Sequence, residues 1–417
     1  MLFILLIIFV YLKNYVCVLI MSSYATYMGE IPEAAETYNV IGNTNEWGLI
    51  ITESTFGGLT DLASDRNTGK MDYGSLIWVT LQRAKTAREA ISKMDELVTL
   101  YGYGSTGESF SIADQDELWY MELIGKGRHA TGAVWVARKV PDGYVTAHAN
   151  QARITTFPLD DSDTVLYSKD VITFARSIGV YSGSDEDFSF SDVYDPLNFS
   201  GARFCEARVW SLFSGVMGAD WSAKYLDYAM GRNMTELMPL WVQPVKQLSL
   251  ADVTQSMRNH FENLALDQTG HVFPDVGAGS YGGLHRSTQL MWTTSSAPGK
   301  QYVNERVISI PVSGWSIVCQ SRPNVPKELA AVMWYGADDS STSVHFPIYG
   351  SATAVPAGWG GAGPQDGVAP PLTQFDIKNP TAFWIFNLVA NYAYTRWADI
   401  YPDVLSGEFM YLLCSRV

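Results

Sequence analysis

The chain has 417 residues, with 28 Lys and Arg against 43 Asp and Glu, and a formal net charge of −15. That balance excludes an electrostatic nucleic-acid binder as the leading idea, because neutralising phosphates takes clustered Lys and Arg. Charged residues are only 17% and hydrophobic ones 47%, so the chain can bury a large core and wholesale disorder is excluded.

The first segment, residues 1–21, stands apart. Met1–Leu12 carries no charge, Lys13 and Asn14 interrupt, and YVCVLIM runs on to Met21. The total is about one membrane span of ~20 residues. A positively charged leader and a small-x-small cleavage site are both missing. Three readings stay open: a signal or membrane anchor, a mistaken gene start, and a buried hydrophobic helix. The first would make the protein membrane-associated, secretory or lysosomal.

Beta signals dominate the chain after Tyr24. TYNVIGN and WGLIITEST alternate around Asn-Glu as a hairpin would. Ser75–Leu100 then reads as one helix, with Leu76, Val79, Ala84, Ala87, Ile91, Met94 and Leu97 near helical spacing. Next come SFSIAD and ELWYMELIG, joined at Gln115-Asp116. AVWVARKV and YVTAHANQARI come after them, joined by Pro141-Asp142-Gly143, a strong hairpin turn signal. This order predicts antiparallel sheet rather than βαβ winding. The second half is more helical. Apolar stripes mark Val165–Ser177, Glu206–Met217, Leu248–Leu264 and Thr381–Asp399. Short strands lie between them at ERVISIPVS, SIVCQSR and AAVMWYGAD. Gly- and Pro-rich loops occupy 275–283 and 355–371. No repeat or linker marks a boundary, so one large α+β unit is expected.

Few motifs carry chemistry alone. Gly102-Tyr103-Gly104-Ser105-Thr106-Gly107 matches G-x-G-x-x-G, but a strand comes next, so the glycines fit a helix-to-strand turn better than a dinucleotide. Ala278-Gly279-Ser280-Tyr281-Gly282 lacks the first Gly of a serine-hydrolase elbow. The six histidines show no metal-ligand spacing, and Cys17, Cys205, Cys319 and Cys414 form no C-x-x-C pair. No cofactor and no metal are implied. Polar residues inside apolar strands are the stronger signal: Glu53, Glu108, Glu122, Asn150, Arg153 and Arg208. A buried carboxylate needs a partner. Two readings of these residues stay open, a structural ion-pair network and a site suited to a zwitterionic ligand.

The strings GEIPEAAETYNVIGNTNEWGLIITESTFGG, YGYGSTGESFSIADQDELWYMELIGKG, AVWVARKVPDGYVTAHANQARI, CEARVWSLF and YVNERVISIPVSGW resemble the C69-type dipeptidases, relatives of the secernins. The resemblance covers about Met28–Asp399. It implies an N-terminal nucleophile hydrolase, with a four-layer αββα sandwich of antiparallel sheets flanked by helices. It implies a cysteine-type dipeptidase that cleaves small peptides through an acyl-enzyme on an N-terminal cysteine. The opening Cys-Thr segment of such proteins has no match here, and Cys17 is followed by Val-Leu-Ile. The resemblance therefore leaves the nucleophile and the first strands of the sandwich unmatched, with Cys17 a poor candidate. The alternative is an inactive, membrane-tethered homologue that binds peptides or a partner. The division expected is 1–21 hydrophobic segment, 22–402 dipeptidase-like domain and 403–417 divergent tail. The resemblance suggests Asn150 for the oxyanion, Arg208 for a thiolate or carboxylate, Glu53 and Glu108 for the substrate amine, and Arg153 for its far carboxylate. Cys205, inside the chain, reads as a packed thiol.

Overall fold

The computed structural model describes residues 7–10, 16–18, 31–63, 68–267, 291–293, 295–354, 358–359 and 381–407. The loop expected at 275–283, most of that at 355–371, the rest of the N-terminal segment and the tail past 407 lie outside the described residues.

Seven antiparallel strands form the main sheet, in the order Val165–Tyr167, Ala133–Lys139, Leu118–Gly125, Gly107–Ala113, Ile50–Phe56, Thr44–Asn45 and Val40–Ile41. Side chains alternate between faces along each strand. One face carries Ile51, Phe110, Ile112, Trp119, Met121, Leu123 and Trp135, which pack on the helices Tyr73–Leu81 and Ala87–Tyr101. The other carries Ile50, Phe56, Tyr120, Ile124, Val134 and Val136, and belongs to the larger core. Both faces are buried, which is why these strands read as nearly continuous apolar runs.

Strands outside this sheet form three further groups, one of them the two-stranded pair of Met291–Thr293 with Gln301–Val303. Val145–His148 lies between Ile7–Val10 and Trp241–Val242. Trp315–Ser321 lies between Val16–Val18 and Ala331–Ala337, which in turn pairs with Phe346–Tyr349. Ile7–Val10 and Val16–Val18 lie against each other, and the helix Ala207–Met217 packs on Val145–His148. The architecture is a mixed α+β one, with antiparallel sheets and helices, as expected.

Four local expectations are corrected. First, Pro141-Asp142-Gly143 does make a turn, with Tyr144 N donating to Pro141 O at 3.2 Å and Gly143 at φ 81°. Yet Ala133–Lys139 and Val145–His148 do not pair across it: the chain passes there from one sheet to another. Second, the single helix expected over 75–100 is two. Asn45 donates its side-chain amide to Leu81 O and Ala84 O at 2.8 Å each, closing the first helix. Thr86 then caps the second by accepting from Glu89 N at 3.2 Å. Third, the described parts of the oily N-terminal segment are strands, because the strands Val145–His148 and Trp315–Ser321 each offer a backbone edge that must be paired. Where the resemblance leaves first strands unmatched, this segment supplies two. Among the described residues no helix is long and apolar enough to cross a membrane. Fourth, ERVISIPVS forms no strand, and 304–310 runs beside the core as irregular chain.

The Gly102–Gly107 run is a helix-to-strand turn. Gly102 sits at φ 69° after the helix Ala87–Tyr101, its N–H donating to Val98 O at 2.8 Å. A Cβ there would stand 1.8 Å from Thr68 O. Both the left-handed backbone and the close approach require glycine. Gly102→Ala is expected to lower unfolding stability by at least ~2 kcal/mol in urea titration; a loss below ~0.5 kcal/mol would show that the turn relaxes freely.

Candidate active site

The inner face of the main sheet carries a polar stripe within an apolar core. Ser54 and Ser111 reach across to His148 on the facing strand, at 2.6 Å to Nδ1 and 2.9 Å to Nε2. The imidazole stacks on Tyr120 with ring centroids 5.0 Å apart. Burial first, and then the Arg153 charge, push its pKa well below the ordinary value, so His148 is neutral. Each hydroxyl can donate or accept, so either tautomer is satisfied. Beside it Glu122 accepts from Tyr120 OH and Arg153 N, both at 2.5 Å, and from Ile154 N at 3.0 Å. Burial raises its pKa to about 7 against these donors.

The strand Val145–His148 ends where the backbone turns left-handed at Asn150, φ 66°. Asparagine is among the few non-glycine residues that tolerate this region. The turn aims its amide between two elements. Nδ2 donates to Thr55 O at 2.5 Å, at the end of the strand Ile50–Phe56. Oδ1 accepts from Arg208 Nη2 at 2.9 Å, with Arg306 Nη2 at 3.4 Å. A guanidinium only donates and a carbonyl only accepts, so both ends fix the same amide orientation.

Arg208 stands in the first turn of the helix Ala207–Met217, just after a π-helical turn at Gly201–Glu206. Such wide turns re-aim side chains and recur at functional sites. Here Cys205, Glu206 and Arg208 are buried together. Arg208 is fully buried and also donates to Ala149 O and Phe204 O, each at 2.9 Å. The Cys205 thiol lies near both guanidiniums, but burial outweighs them and raises its pKa.

The other residues expected at a site fall elsewhere. Arg153 is buried, with Nε on Glu206 Oε2 at 3.0 Å, Nη1 on Ala147 O at 2.9 Å and Nη2 on Pro239 O at 3.0 Å. Tyr228 OH also donates to Glu206 Oε2, at 3.0 Å. Arg153, Glu206, Tyr228, Asp195, Met238 and Trp241 line a cavity of about 420 Å³. Asp195 there is raised to about 6 by burial, although Gly58 N and Ala152 N donate to it. Glu53 and Glu108 occupy the opposite, helix-covered face, diagonal neighbours across paired strands and away from the stripe. Cys17 pairs with Val318 by register in a second sheet. The structure thus brings Asn150 and Arg208 together and leaves Arg153, Glu53, Glu108 and Cys17 outside that contact. Sequence reading missed Arg306, although an arginine inside NERVISIP was a visible signal.

Comparison with known proteins comes to the same family that the strings resemble. The model of peptidase family C69 matches residues 14–407. A probable dipeptidase of Salmonella dublin is 24% identical over 306 residues, 72% of this chain and 60% of that protein. Dipeptidase A of Lactobacillus helveticus is 23% identical over 312 residues, 74% of this chain and 56% of its own. Probable dipeptidase B of Streptococcus pyogenes serotype M1 is 27% identical over 280 residues, 66% of this chain and 49% of its own. The chain thus spans about half to three-fifths of the length of these relatives.

The Glu53–Glu108 pair has its own consequence. Both are buried, and Tyr103 OH donates to Glu108 Oε2 at 2.9 Å. Burial raises Glu108 to about 7, and burial plus the Glu108 charge hold Glu53 well above the usual carboxyl range. The folded pair therefore keeps protons that the unfolded chain releases near pH ~4.3. Stability falls as pH climbs from that value through 7, where burial opposes a second charge. Glu53→Gln is expected to be stabilised relative to the parent by roughly 1–3 kcal/mol more at pH 8.5 than at pH 5, by urea unfolding. A pH-independent difference would mean the pair does not share a proton.

Proposed function

The chain belongs to peptidase family C69, and on that premise we propose that it hydrolyses dipeptides at the Asn150 site. The observation that carries this reading is the Asn150 amide, locked by a guanidinium on one end and a carbonyl on the other, with one Nδ2 hydrogen left to donate among the described residues. In the proposed reaction a cysteine thiolate attacks the peptide carbonyl carbon, and the carbonyl electron pair moves onto oxygen. Asn150 Nδ2–H donates to that oxyanion, and Arg208 acts as a positioning residue that holds the amide. The α-amine of the N-terminal cysteine takes the thiol proton as the thiolate forms, and collapse expels the amine, which takes that proton from the resulting α-ammonium. Water then hydrolyses the thioester. An α-amine titrates near ~7.7–8.0, close to working pH, and suits this transfer.

The fold supports the reading. Helices cover one face of the main sheet and further strands and a helix lie on the other, the order an αββα N-terminal nucleophile hydrolase would have. We assign no attack to Cys205, which sits inside a helix with no α-amine and a thiol kept protonated by burial. Arg153, Glu53 and Glu108 are assigned to holding strands and helices together, since their polar groups bond within the protein or face the helices.

The test is hydrolysis of a dipeptide panel with and without iodoacetamide. Turnover lost on alkylation is expected. Turnover indifferent to the alkylator would remove the thiol step, and a folded chain that cleaves none of the panel would overturn the hydrolase reading. Asn150→Gly keeps the left-handed backbone and deletes the amide. It is expected to lower kcat by ~10²–10³-fold, the usual effect of losing one oxyanion donor, with KM little changed. An unchanged kcat would exclude Asn150 from the transition state.

A further inference from the structure

Arg153, Arg203 and Arg208, the buried arginines near the site, each have a way to spread their charge. Arg153 pairs with Glu206 at 3.0 Å, Arg203 pairs with Glu305, and Arg208 donates to two carbonyls and to Asn150. Arg306 differs. Its Nη2 reaches only Asn150 Oδ1, at 3.4 Å, its Nε is buried with no acceptor, and it makes no ion pair among the described residues. The neighbouring Glu305 is turned away, onto Arg203. Burial first, and then the nearby charge of Arg208, lower the Arg306 pKa to about 9, so the guanidinium is still cationic at neutral pH. Among the described residues no neighbour compensates it. Burial keeps the Cys205 thiol protonated, and Glu206 Oε2 is held by Arg153 and Tyr228. Arg306 is partly buried, and an uncompensated, partly desolvated charge is costly; an arriving anion lowers that cost.

We infer that Arg306 recognises the free C-terminal carboxylate of a dipeptide, gripping it in the planar guanidinium fork beside Asn150. This rests on the hydrolase reading above and deepens it. The fork matches a carboxylate with two parallel N–H···O bonds. Its distance from Asn150 also sets a length limit. In a dipeptide the carboxylate carbon is three bonds from the scissile carbonyl carbon, within ~4.3 Å along the chain. Each added residue moves the carboxylate up to ~3.3–3.6 Å further. With the scissile oxygen at Asn150, a dipeptide brings its carboxylate to Arg306, whereas a tripeptide presents an uncharged amide there.

The test uses L-alanyl-L-alanine, its C-terminal amide and trialanine. The wild type is expected to prefer the dipeptide over the amide by roughly 10–100-fold in kcat/KM, the scale of charge-assisted hydrogen bonds to a carboxylate. Arg306→Met should bring that preference to within about threefold, and Arg306→Lys, which keeps the charge without the fork, to an intermediate value. A wild type indifferent to the amide, or a preference unchanged in Arg306→Met, overturns the inference and leaves the hydrolase reading intact. If none of the three is cleaved, calorimetric binding decides. Dipeptide bound over amide by wild type, with the selectivity lost in Arg306→Met, keeps the carboxylate site while the hydrolase reading falls. Equal binding of both, or none, overturns the site as well. Should Arg306→Met fail to fold, Arg306→Lys carries the same comparison.

Discussion

The contact on which the candidate site depends is the amide of Asn150. Its backbone ends one strand, its nitrogen holds the last carbonyl region of another, and its oxygen receives a guanidinium from a helix. Three elements from distant parts of the chain therefore meet at one four-atom group. A left-handed backbone and a fully specified amide leave little freedom for error, and such preorganised polar groups are what a reacting centre requires.

Around that contact the core is unusually ionic. Glu122, His148, Arg153, Glu206 and Arg208 all lie buried between layers. Most of their polar atoms are matched: backbone N–H groups on Glu122, serine hydroxyls on His148, carbonyls on Arg153 and Arg208, and the Arg153 and Tyr228 donors on one oxygen of Glu206. The π-helical turn before Ala207 and the start of the helix after it are buried on every side, Cys205, Glu206 and Arg208 included. Matched networks of this kind fix one arrangement of the layers, since sliding any strand by one residue would strand several charges at once.

Much of the fold was legible in the sequence. Alternating and continuous apolar runs marked the strands of the main sheet, and the helical stripe marked Ala87–Tyr101. What could not be read was long-range. The split after Leu81 comes from Asn45, 36 residues earlier, whose amide takes the carbonyls a continuing helix would need. The turn at Pro141–Gly143 is encoded locally, but which sheet receives the next strand is decided by packing. Within the site, Asn150 and Arg208 were found by their place in apolar strings, and the structure joins them. Arg153 carried the same signal yet is consumed by Glu206 and three carbonyls, because a charge in a strand announces burial without saying what it meets.

The passage of the chain between sheets has a kinetic consequence. From Gly107 to Lys139 the main sheet is built of neighbours in sequence, so its hairpins can close early with short loops. Apart from the local pair Met291–Thr293 and Gln301–Val303, the other strands come from residues 7–18, 145–148, 241–242 and 315–349, separated by long stretches. Loop closure of that length is slow, and such pairings form late. Asn150 sits just past the crossover strand and Arg306 far downstream of it, so the contact between them is expected to form after the main sheet. Pulse-labelling hydrogen exchange during refolding would register this as protection at Phe110 and Met121 ahead of Val145 and Val318. A chain stalled between the two stages would hold most of its secondary structure and no site.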